Sequence, residues 1–190
     1  MEKYLIAGLG NPGARYANTR HNVGFKVVER IAERLSLGFR AGRGDYLMAS
    51  GAAQTVMTGE VLLVKPLTYM NNSGLAVRHA VDYFGIALPN TLIIFDDFQL
   101  PLGKLRVRAA GSEGGHNGMA SVIQHLGTET VSRLRFGIGS EFAKGEMVNH
   151  VLSSFAKAEQ ELLPELYDRA AEAAICFIND GIQQAMNRFN

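Results

Sequence analysis

Short apolar runs and a four-residue hydrophobic spacing alternate along this chain. The runs at 4–7, 61–64 and 91–95 are typical of buried strands, because a strand that is covered on both faces carries few polar positions. Residues 22–36 place an apolar side chain at every fourth position, with charged residues between them. That spacing predicts an amphipathic helix after the first strand.

The alternation continues to the end of the chain. Residues 46–65 predict two or three strands that end at Pro66, and Asn72 or Ser73 is the expected N-cap of a helix that ends at Gly85. The other predicted elements are strands at 104–108 and 133–138, a helix at 118–126 closed by Gly127, and C-terminal helices divided near 179–181. Alternating strands and helices predict an α/β fold: one domain over 1–190, with a twisted mixed sheet and helices packed on its faces.

The composition is that of an ordinary globular protein. Hydrophobic residues make up 47% and charged residues 19% of the 190 positions, which excludes a disordered, collagen-like or coiled-coil chain. The one cysteine, Cys176, excludes intramolecular disulfides and four-cysteine zinc sites. The N-terminus does not resemble a signal peptide, and no apolar run approaches the ~18 residues of a membrane span. We therefore expect a soluble cytoplasmic protein with no membrane partner.

The charge is distributed unevenly, although the net value is only +1. The last forty residues hold three basic and six acidic side chains, so residues 1–150 keep an excess of four positive charges. Part of this excess alternates along two predicted strands, as Lys104, Arg106 and Arg108 on one and Arg133 and Arg135 on the other. Side chains two apart on a strand share a face. These strands predict either a local positive surface or ordinary solvated edges.

A glycine-rich cluster follows the first strand. Residues 8–13 formally match the dinucleotide-binding fingerprint of spaced glycines. That fingerprint requires a helix to begin inside the loop, whereas helical spacing starts only near Val23. The match therefore gives little support to nucleotide binding.

His21 is the strongest candidate for a catalytic base. It lies between the glycine-rich turn and a helix start, and an ordinary imidazole, with a pKa of about 6.5, is mostly neutral at pH 7. Such a base needs a partner that fixes its tautomer, usually a carboxylate. Asp96 and Asp97, at the end of a buried strand, are candidates for that partner, with the capping of a loop as the alternative.

Two further polar clusters lie near predicted helix starts. Residues 68–74 contain two asparagines, one more than is needed to cap the following helix. Residues 111–118 begin a helix whose free amide hydrogens favour binding of a phosphate or an oxyanion. The alternative for the second cluster is a mobile glycine-rich loop with an asparagine cap.

Covalent and metal-dependent catalysis lack sequence support. The chain has neither a Gly-x-Ser-x-Gly elbow nor His-Glu-x-x-His spacing, and Cys176 lies in an apolar helical stretch that is typical of a core. What remains is a histidine, a carboxylate and several asparagine amides. That set can activate water and hold a carbonyl oxygen without a covalent or metal intermediate.

Five blocks together resemble the bacterial-type peptidyl-tRNA hydrolase family. They run in order along the chain: 8–13, Tyr16 with 19–24, 65–74, Asp96-Asp97 with Leu100-Pro101, and 114–118 leading on to 133–139. The resemblance implies a single α/β domain, a monomer, no cofactor and no metal. It further implies hydrolysis of the ester bond between a peptide, or an N-blocked aminoacyl group, and the 3′ end of elongator tRNA, which recycles peptidyl-tRNA released from ribosomes.

The same resemblance implies roles for individual residues. His21 would take a proton from water and Asp96 would orient it. Asn11 and Asn71 would hold the peptide end and the reacting carbonyl, while Tyr16 and Met70 line the cleft. Asn117 would position either the water or the terminal nucleotide, and His116 is grouped with it on the substrate-binding side.

The tRNA surface and a lid are implied in the same way. Arg106, Arg108 and Arg135 fall where the family contacts acceptor-stem phosphates, which set register without reading sequence. Residues 139–150 resemble a mobile lid. The chain departs from the family at Gln99, where an acid is usual, and we expect an effect on local hydrogen bonding rather than on the chemistry. The alternative function is a non-catalytic RNA-binding protein on the same scaffold, as in plant organelle splicing factors that resemble this family.

Overall fold

The computed structural model describes residues 2–52 and 59–190 of the chain. Its strands are β1 (Glu2–Gly8), β2 (Arg40–Ala41), β3 (Tyr46–Ala52), β4 (Gly59–Pro66), β5 (Thr91–Asp97), β6 (Leu105–Arg108) and β7 (Ser132–Gly137). Its α-helices are α1 (Val23–Arg34), α2 (Ser73–Phe84), α3 (Asn117–Leu126), α4 (Met147–Leu152), α5 (Lys157–Gln160) and α6 (Leu163–Phe189). Short 3₁₀ turns occupy Ala14–Tyr16, Arg20–Asn22, Met70–Asn72 and Leu88–Asn90.

The strands form one seven-stranded mixed sheet in the order β2-β3-β4-β1-β5-β7-β6. The central neighbours β4, β1, β5 and β7 run parallel to one another, while β3 pairs antiparallel with β4 and β6 pairs antiparallel with β7. The apolar runs of the sequence lie in this parallel centre, where helices cover both faces. The α/β class and the mixed sheet are confirmed.

Two hydrophobic cores lie on opposite faces of the sheet. Successive residues of β1 alternate between them: Ile6 belongs to the core under α1 and α6, whereas Leu5 and Ala7 belong to the core under α2 and α3. This alternation follows from the two-residue period of a strand. Each face of the sheet therefore fixes a pair of helices, and α1 and α3 begin beside the ends of the central strands.

Helix α1 approaches the sheet so closely that Gly24 has no room for a side chain. A Cβ atom there would lie 2.4 Å from the Leu9 carbonyl oxygen and 2.6 Å from the Ile94 carbonyl oxygen. The helix begins at Val23, well after the 8–13 loop, so the geometry of a dinucleotide-binding turn is absent from this part of the chain. Close packing of helix on strand accounts for glycines in this region.

Two details differ from the predicted helix ends. Neither Asn72 nor Ser73 caps α2 with its side chain, because the Ser73 hydroxyl instead donates to the Met70 carbonyl at 2.8 Å. The predicted break near the C-terminus is confirmed, since Gly181 interrupts α6 with φ of 81° and ψ of 171°. Residues 53–58, inside the predicted 46–65 strand region, lie outside the described residues. Within residues 2–52 and 59–190, no helix has the length and apolar character needed to cross a membrane.

Candidate active site

A cleft of about 420 Å³ opens at the carboxyl ends of β1, β4 and β5. In an open α/β sheet, loops that leave neighbouring parallel strands converge at this edge. The residues that line the cleft are Asn11, Tyr16, His21, Tyr69, Met70, Asn71, Asn72, Asp96, Phe98, Gly115, His116, Asn117, Met147, Val148, Val151 and Leu152. Eight of the eleven site residues expected from the sequence lie here, and the three that lie elsewhere are the arginines.

His21 and Asp96 meet in the floor of this cleft. The Nδ1 atom of His21 lies 2.9 Å from both carboxylate oxygens of Asp96. The His21 side chain keeps 14% of its surface exposed, whereas the carboxylate of Asp96 is fully buried. An Nδ1–H donor to the carboxylate leaves Nε2 as the basic nitrogen of the ring. Of the two aspartates that the sequence offered as partners, the structure selects Asp96.

The buried carboxylate of Asp96 remains ionised. Burial by itself raises the pKa of a carboxyl group, but electrostatic attraction and hydrogen bonds from the rings of His116 and His21 outweigh it and hold the pKa of Asp96 well below its ordinary value. The site therefore holds a negative charge directly behind the imidazole of His21. Such a charge stabilises the imidazolium that forms when His21 accepts a proton.

His116 bonds to the same carboxylate, and helix α3 fixes its tautomer. It is the N-cap of α3: its Nδ1 accepts the backbone N–H of Met119 at 3.1 Å. Since Nδ1 is an acceptor, the ring proton is on Nε2, which donates to Asp96 Oδ1 at 2.7 Å. Both ring nitrogens are thus used inside the protein. The sequence groups His116 with the substrate-binding residues; in the structure it lines the cleft, and its ring also bonds to Asp96.

The cluster of His21, Asp96 and His116 has the composition of a metal site. One ligand atom from each lies within 4.8 Å of the others. The bond from Met119 argues against a metal, because it forces the His116 proton onto the nitrogen that a metal would occupy. The arrangement is that of a hydrogen-bonded pair of imidazoles around one carboxylate.

Asn11 is held by two neighbouring segments. Its backbone exchanges two 2.9 Å hydrogen bonds with the side chain of Asn22, one in each direction. Its side-chain Oδ1 accepts the backbone N–H of Met70 at 2.8 Å. The amide NH₂ group of Asn11 is then the polar group left for the cleft, so Asn11 offers a hydrogen-bond donor.

Asn71 and Asn117 are exposed and line the cleft from two different loops. Tyr16 packs edge-on against Tyr69, with ring centroids 6.4 Å apart, at the end of the cleft near Asn11. Tyr69 adopts a positive φ of 60°, a backbone conformation that is unusual for a bulky residue. This strained turn immediately precedes Met70, whose N–H binds Asn11.

Helix α4 supplies an apolar wall that the sequence did not resolve. Val148 and Leu152 are exposed, and both line the cleft together with Met147 and Val151. The sequence predicts a lid over 139–150 but does not identify which of its residues face the cleft. The sequence signal for these residues is the helical spacing of Val148, Val151 and Leu152. Three apolar positions are too few to show whether such a helix faces a cleft or the core.

Three arginines form the arginine face, defined here as Arg106 and Arg108 of β6 with Arg135 of β7. Arg106 lies directly opposite Arg135 in the antiparallel ladder, and all three side chains are partly exposed. Arg135 Nε lies 2.8 Å from Asp97 Oδ2. A Cβ on Gly114 would come within 3.3 Å of the Arg135 guanidinium. The arginine face therefore adjoins the loop that carries Gly115, His116 and Asn117 into the cleft.

Arg133 does not join this surface, contrary to the pattern of alternating charges. It is only 2% exposed, and its guanidinium donates to the carbonyls of Gly111, Ser112 and Glu129 at 2.5, 2.9 and 2.7 Å. The reason is geometric: the loop before α3 folds over this end of β7 and needs donors for its carbonyl oxygens. Arg133 holds the loop that positions His116.

This chain is similar to known proteins over nearly its whole length. The family model described as peptidyl-tRNA hydrolase matches residues 5–190. A peptidyl-tRNA hydrolase of Synechococcus sp. is 49% identical over 189 residues, covering 98% of this chain and 82% of the relative, and one of Lachnospira eligens is 43% identical, covering 98% and 99%. The crystal structure of peptidyl-tRNA hydrolase from Acinetobacter baumannii superposes with a TM-score of 0.90 at 34% identity, covering 98% of this chain and 94% of that one.

Proposed function

The chain belongs to the peptidyl-tRNA hydrolase family, and we propose that it works through a water molecule activated by His21. It is an enzyme that hydrolyses the ester bond between a peptide and the 3′ end of tRNA, and so recycles peptidyl-tRNA. The single observation that supports the mechanism is the pairing of His21 with the buried Asp96 in the cleft floor.

The proposed reaction needs no covalent intermediate. His21 Nε2 takes a proton from water while the water oxygen bonds to the ester carbonyl carbon. The tetrahedral intermediate then loses the bond to the ribose oxygen, and the imidazolium returns the proton to that oxygen. Asp96 stabilises the imidazolium between these steps. Cys176 does not compete as a nucleophile, because it is buried in α6 and burial raises the pKa of its thiol.

Asparagine amides are proposed to hold the carbonyl oxygen and the peptide. The NH₂ group of Asn11 is a donor fixed by its bond to Met70, and Asn71 extends the same side of the cleft. Donors that are fixed before the reaction stabilise a developing oxyanion without reorganising. Tyr16 and Met70 line this end of the cleft and are proposed to contact the peptide.

The position of the arginine face supports a direction for the substrate. Because Arg135 lies beside Gly114, phosphates bound to the arginine face would approach the cleft past Gly115 and Asn117. We assign the Asn117 side of the cleft to the terminal nucleotide and the Tyr16 side to the peptide. Arg106, Arg108 and Arg135 then bind tRNA phosphates, a contact that is independent of sequence.

We further propose that residues 139–150 act as a lid over the cleft, and that one chain is the working unit. Helix α4 overlaps this segment and supplies an apolar wall. The reactive pair and the cleft are built within a single chain, which supports a monomer. The proposed compartment is the cytoplasm, where ribosomes release peptidyl-tRNA.

Release of a labelled N-blocked amino acid from aminoacyl-tRNA tests the function. The wild-type chain is expected to release the label with multiple turnover and to leave intact tRNA. Binding of the tRNA without release would instead support the non-catalytic RNA-binding alternative. A labelled adduct on any side chain during turnover would overturn the mechanism through activated water.

A further inference from the structure

Arg20 is a buried charge next to His21 that the proposed reaction does not use. Its side chain is 10% exposed, and it is absent from the described residues that line the cleft. A buried guanidinium is stable only when its N–H donors are satisfied within the protein. Its partners therefore indicate what it does.

Two of these partners flank the segment 139–152, which contains α4. The Nη1 group of Arg20 donates to the carbonyl of Ile138 at 3.0 Å, and its Nε donates to the hydroxyl of Ser153 at 3.3 Å. Ile138 is the residue immediately after β7, and Ser153 is the residue immediately after α4. One side chain thus bonds to the residues on both sides of the segment.

Further contacts hold the guanidinium in a single orientation. Glu159 of α5 accepts two parallel bonds from Arg20, at 3.0 and 2.7 Å, and the guanidinium carbon lies 4.6 Å from the Phe155 ring centroid. The hydrogen bond from Arg20 lowers the pKa of Glu159, so the pair stays ionised near neutral pH. The planar fork of arginine can satisfy these partners together, whereas the ammonium of lysine cannot.

The backbone of Arg20 continues the same connection. Its N–H donates to the Ser153 carbonyl at 2.9 Å, and Thr19 forms an isolated bridge with Ser154. The residue after Arg20 is His21, whose ring faces Asp96. The segment between the two anchors supplies Met147, Val148, Val151 and Leu152 to the lining of the cleft. The base and this wall are therefore linked through one residue.

We propose that Arg20 is a positioning residue that ties both ends of the segment 139–152 to the His21 turn, and so sets the distance between the α4 wall and the catalytic base. The wall contacts the bound substrate rather than the breaking bond, so Arg20 acts on substrate binding more than on the chemical step. The kinetic part of this inference rests on the proposed function, whereas its structural part does not.

Two variants and a matched control test the proposal in the full chain. Arg20→Lys keeps the charge but loses the fork, and Glu159→Gln removes the charge of the partner together with one of its two acceptor oxygens. Glu172→Gln is the control, because Glu172 accepts from Arg34 at 3.0 Å on the exposed surface between α1 and α6. Hydrogen–deuterium exchange of residues 139–152 is measured beside kcat, KM and the pH profile of kcat/KM.

Both test variants are expected to exchange faster in 139–152 than the wild type, with unchanged exchange in the central strands. KM for N-blocked aminoacyl-tRNA is expected to rise at least about threefold with a smaller change in kcat. This pattern is typical of losing a contact that holds the substrate equally in its ground state and its transition state. The pH midpoint of kcat/KM stays that of the wild type, because the pair of His21 and Asp96 is intact. Glu172→Gln matches the wild type in every measurement.

Unchanged exchange of 139–152 in Glu159→Gln and in Arg20→Lys would overturn the proposal. Faster exchange with an unchanged KM would equally overturn it, because the anchor would then not serve the cleft. If Arg20→Lys fails to fold, the Glu159→Gln result alone tests the proposal. Glu159 is partly exposed, so its substitution is expected to leave the fold intact. A wild-type chain that releases no label would contradict the function instead, while the exchange data would still report on the anchor.

Discussion

The backbone of Asn11 and the side chain of Asn22 exchange two hydrogen bonds of 2.9 Å. Both residues are buried, and Asn22 immediately follows His21. This pair joins the loop after β1 to the turn that carries His21. The donor amide of Asn11 and the imidazole of His21 are therefore placed by the same contact.

Asn22→Ala tests this pairing through stability. The change leaves the backbone N–H and carbonyl of Asn11 buried without partners, at a cost of about 1–3 kcal/mol for each group. We expect the free energy of unfolding, measured with urea, to fall by roughly 2–6 kcal/mol. Asn18→Ala is the matched control, because Asn18 is exposed in the same loop region and its loss should change stability by less than ~0.5 kcal/mol. Equal stability of the two variants would contradict the role of Asn22.

His21→Ala tests the assignment of the base. A positioned general base contributes about 10²–10⁴-fold to a rate, so kcat for N-blocked aminoacyl-tRNA should fall at least ~10²-fold. The affinity for tRNA should change little, because His21 lies apart from the arginine face. His79→Ala is the control, since His79 bonds Tyr46 at 3.3 Å on the outside of α2. A fully active His21→Ala enzyme would remove His21 from the mechanism.

His116→Asn and His116→Ala separate the two bonds of His116. Asparagine is a good N-cap, so it keeps an acceptor for the Met119 N–H but is too short to reach Asp96. We expect both variants to lose about 10- to 100-fold in kcat, since a hydrogen bond to a charged group contributes about 1.5–3 kcal/mol. KM should change little, and only His116→Ala should lose the stability of the cap. A large rise in KM with unchanged kcat would restore the substrate contact expected from the sequence.

Asp96→Asn tests the buried charge through the pH dependence of stability. The pKa of Asp96 is lowered in the folded protein, so the unfolded chain binds the proton first as the pH falls. The stability that Asp96 contributes is therefore complete at neutral pH and is lost as the pH falls below about 5 toward the folded-state pKa. Urea unfolding between neutral pH and pH 3 should show a steeper acid loss for the wild type than for Asp96→Asn. Parallel pH curves would contradict an ionised Asp96.

Replacing Arg106 and Arg108 together by alanine tests the arginine face. Each phosphate contact that is lost reduces the dependence of log K on log salt by about one unit or less, so tRNA binding should weaken and its salt slope should flatten. Arg30→Ala with Arg34→Ala removes the same charge from the surface of α1, where Arg34 is paired with Asp168, and serves as the control. An unchanged salt slope in the arginine-face variant would place the tRNA surface elsewhere.

The sequence predicted the parts of this protein that depend on local pattern. Apolar runs predict β1 and β5, four-residue spacing predicts α1, and residue chemistry points to His21 with Asp96 or Asp97 as its partner, of which Asp96 makes the 2.9 Å contact. These features are readable because each is determined by residues that are close together in the chain. The family resemblance then added the partners from other loops.

Features that depend on distant contacts were not predictable in this way. Arg133 has the same alternation as Arg135, and only the fold of the 111–116 loop makes it a buried donor. The bond from His116 to Asp96 depends on the start of α3 at Asn117, which makes His116 the N-cap of that helix. The link from Arg20 to Ile138 and Glu159 joins positions more than a hundred residues apart, which no local pattern records.

The tight fit around Gly24 excludes any residue with a side chain at this position. The two carbonyls that crowd it belong to Leu9 and Ile94, each two positions before a cleft residue, Asn11 or Asp96, and Gly24 itself follows His21 by three. A methyl group added at Gly24 therefore cannot fit unless the backbone that carries Asn11, His21 and Asp96 shifts. One added carbon at a position outside the cleft lining thus disturbs three of the residues that form the cleft together.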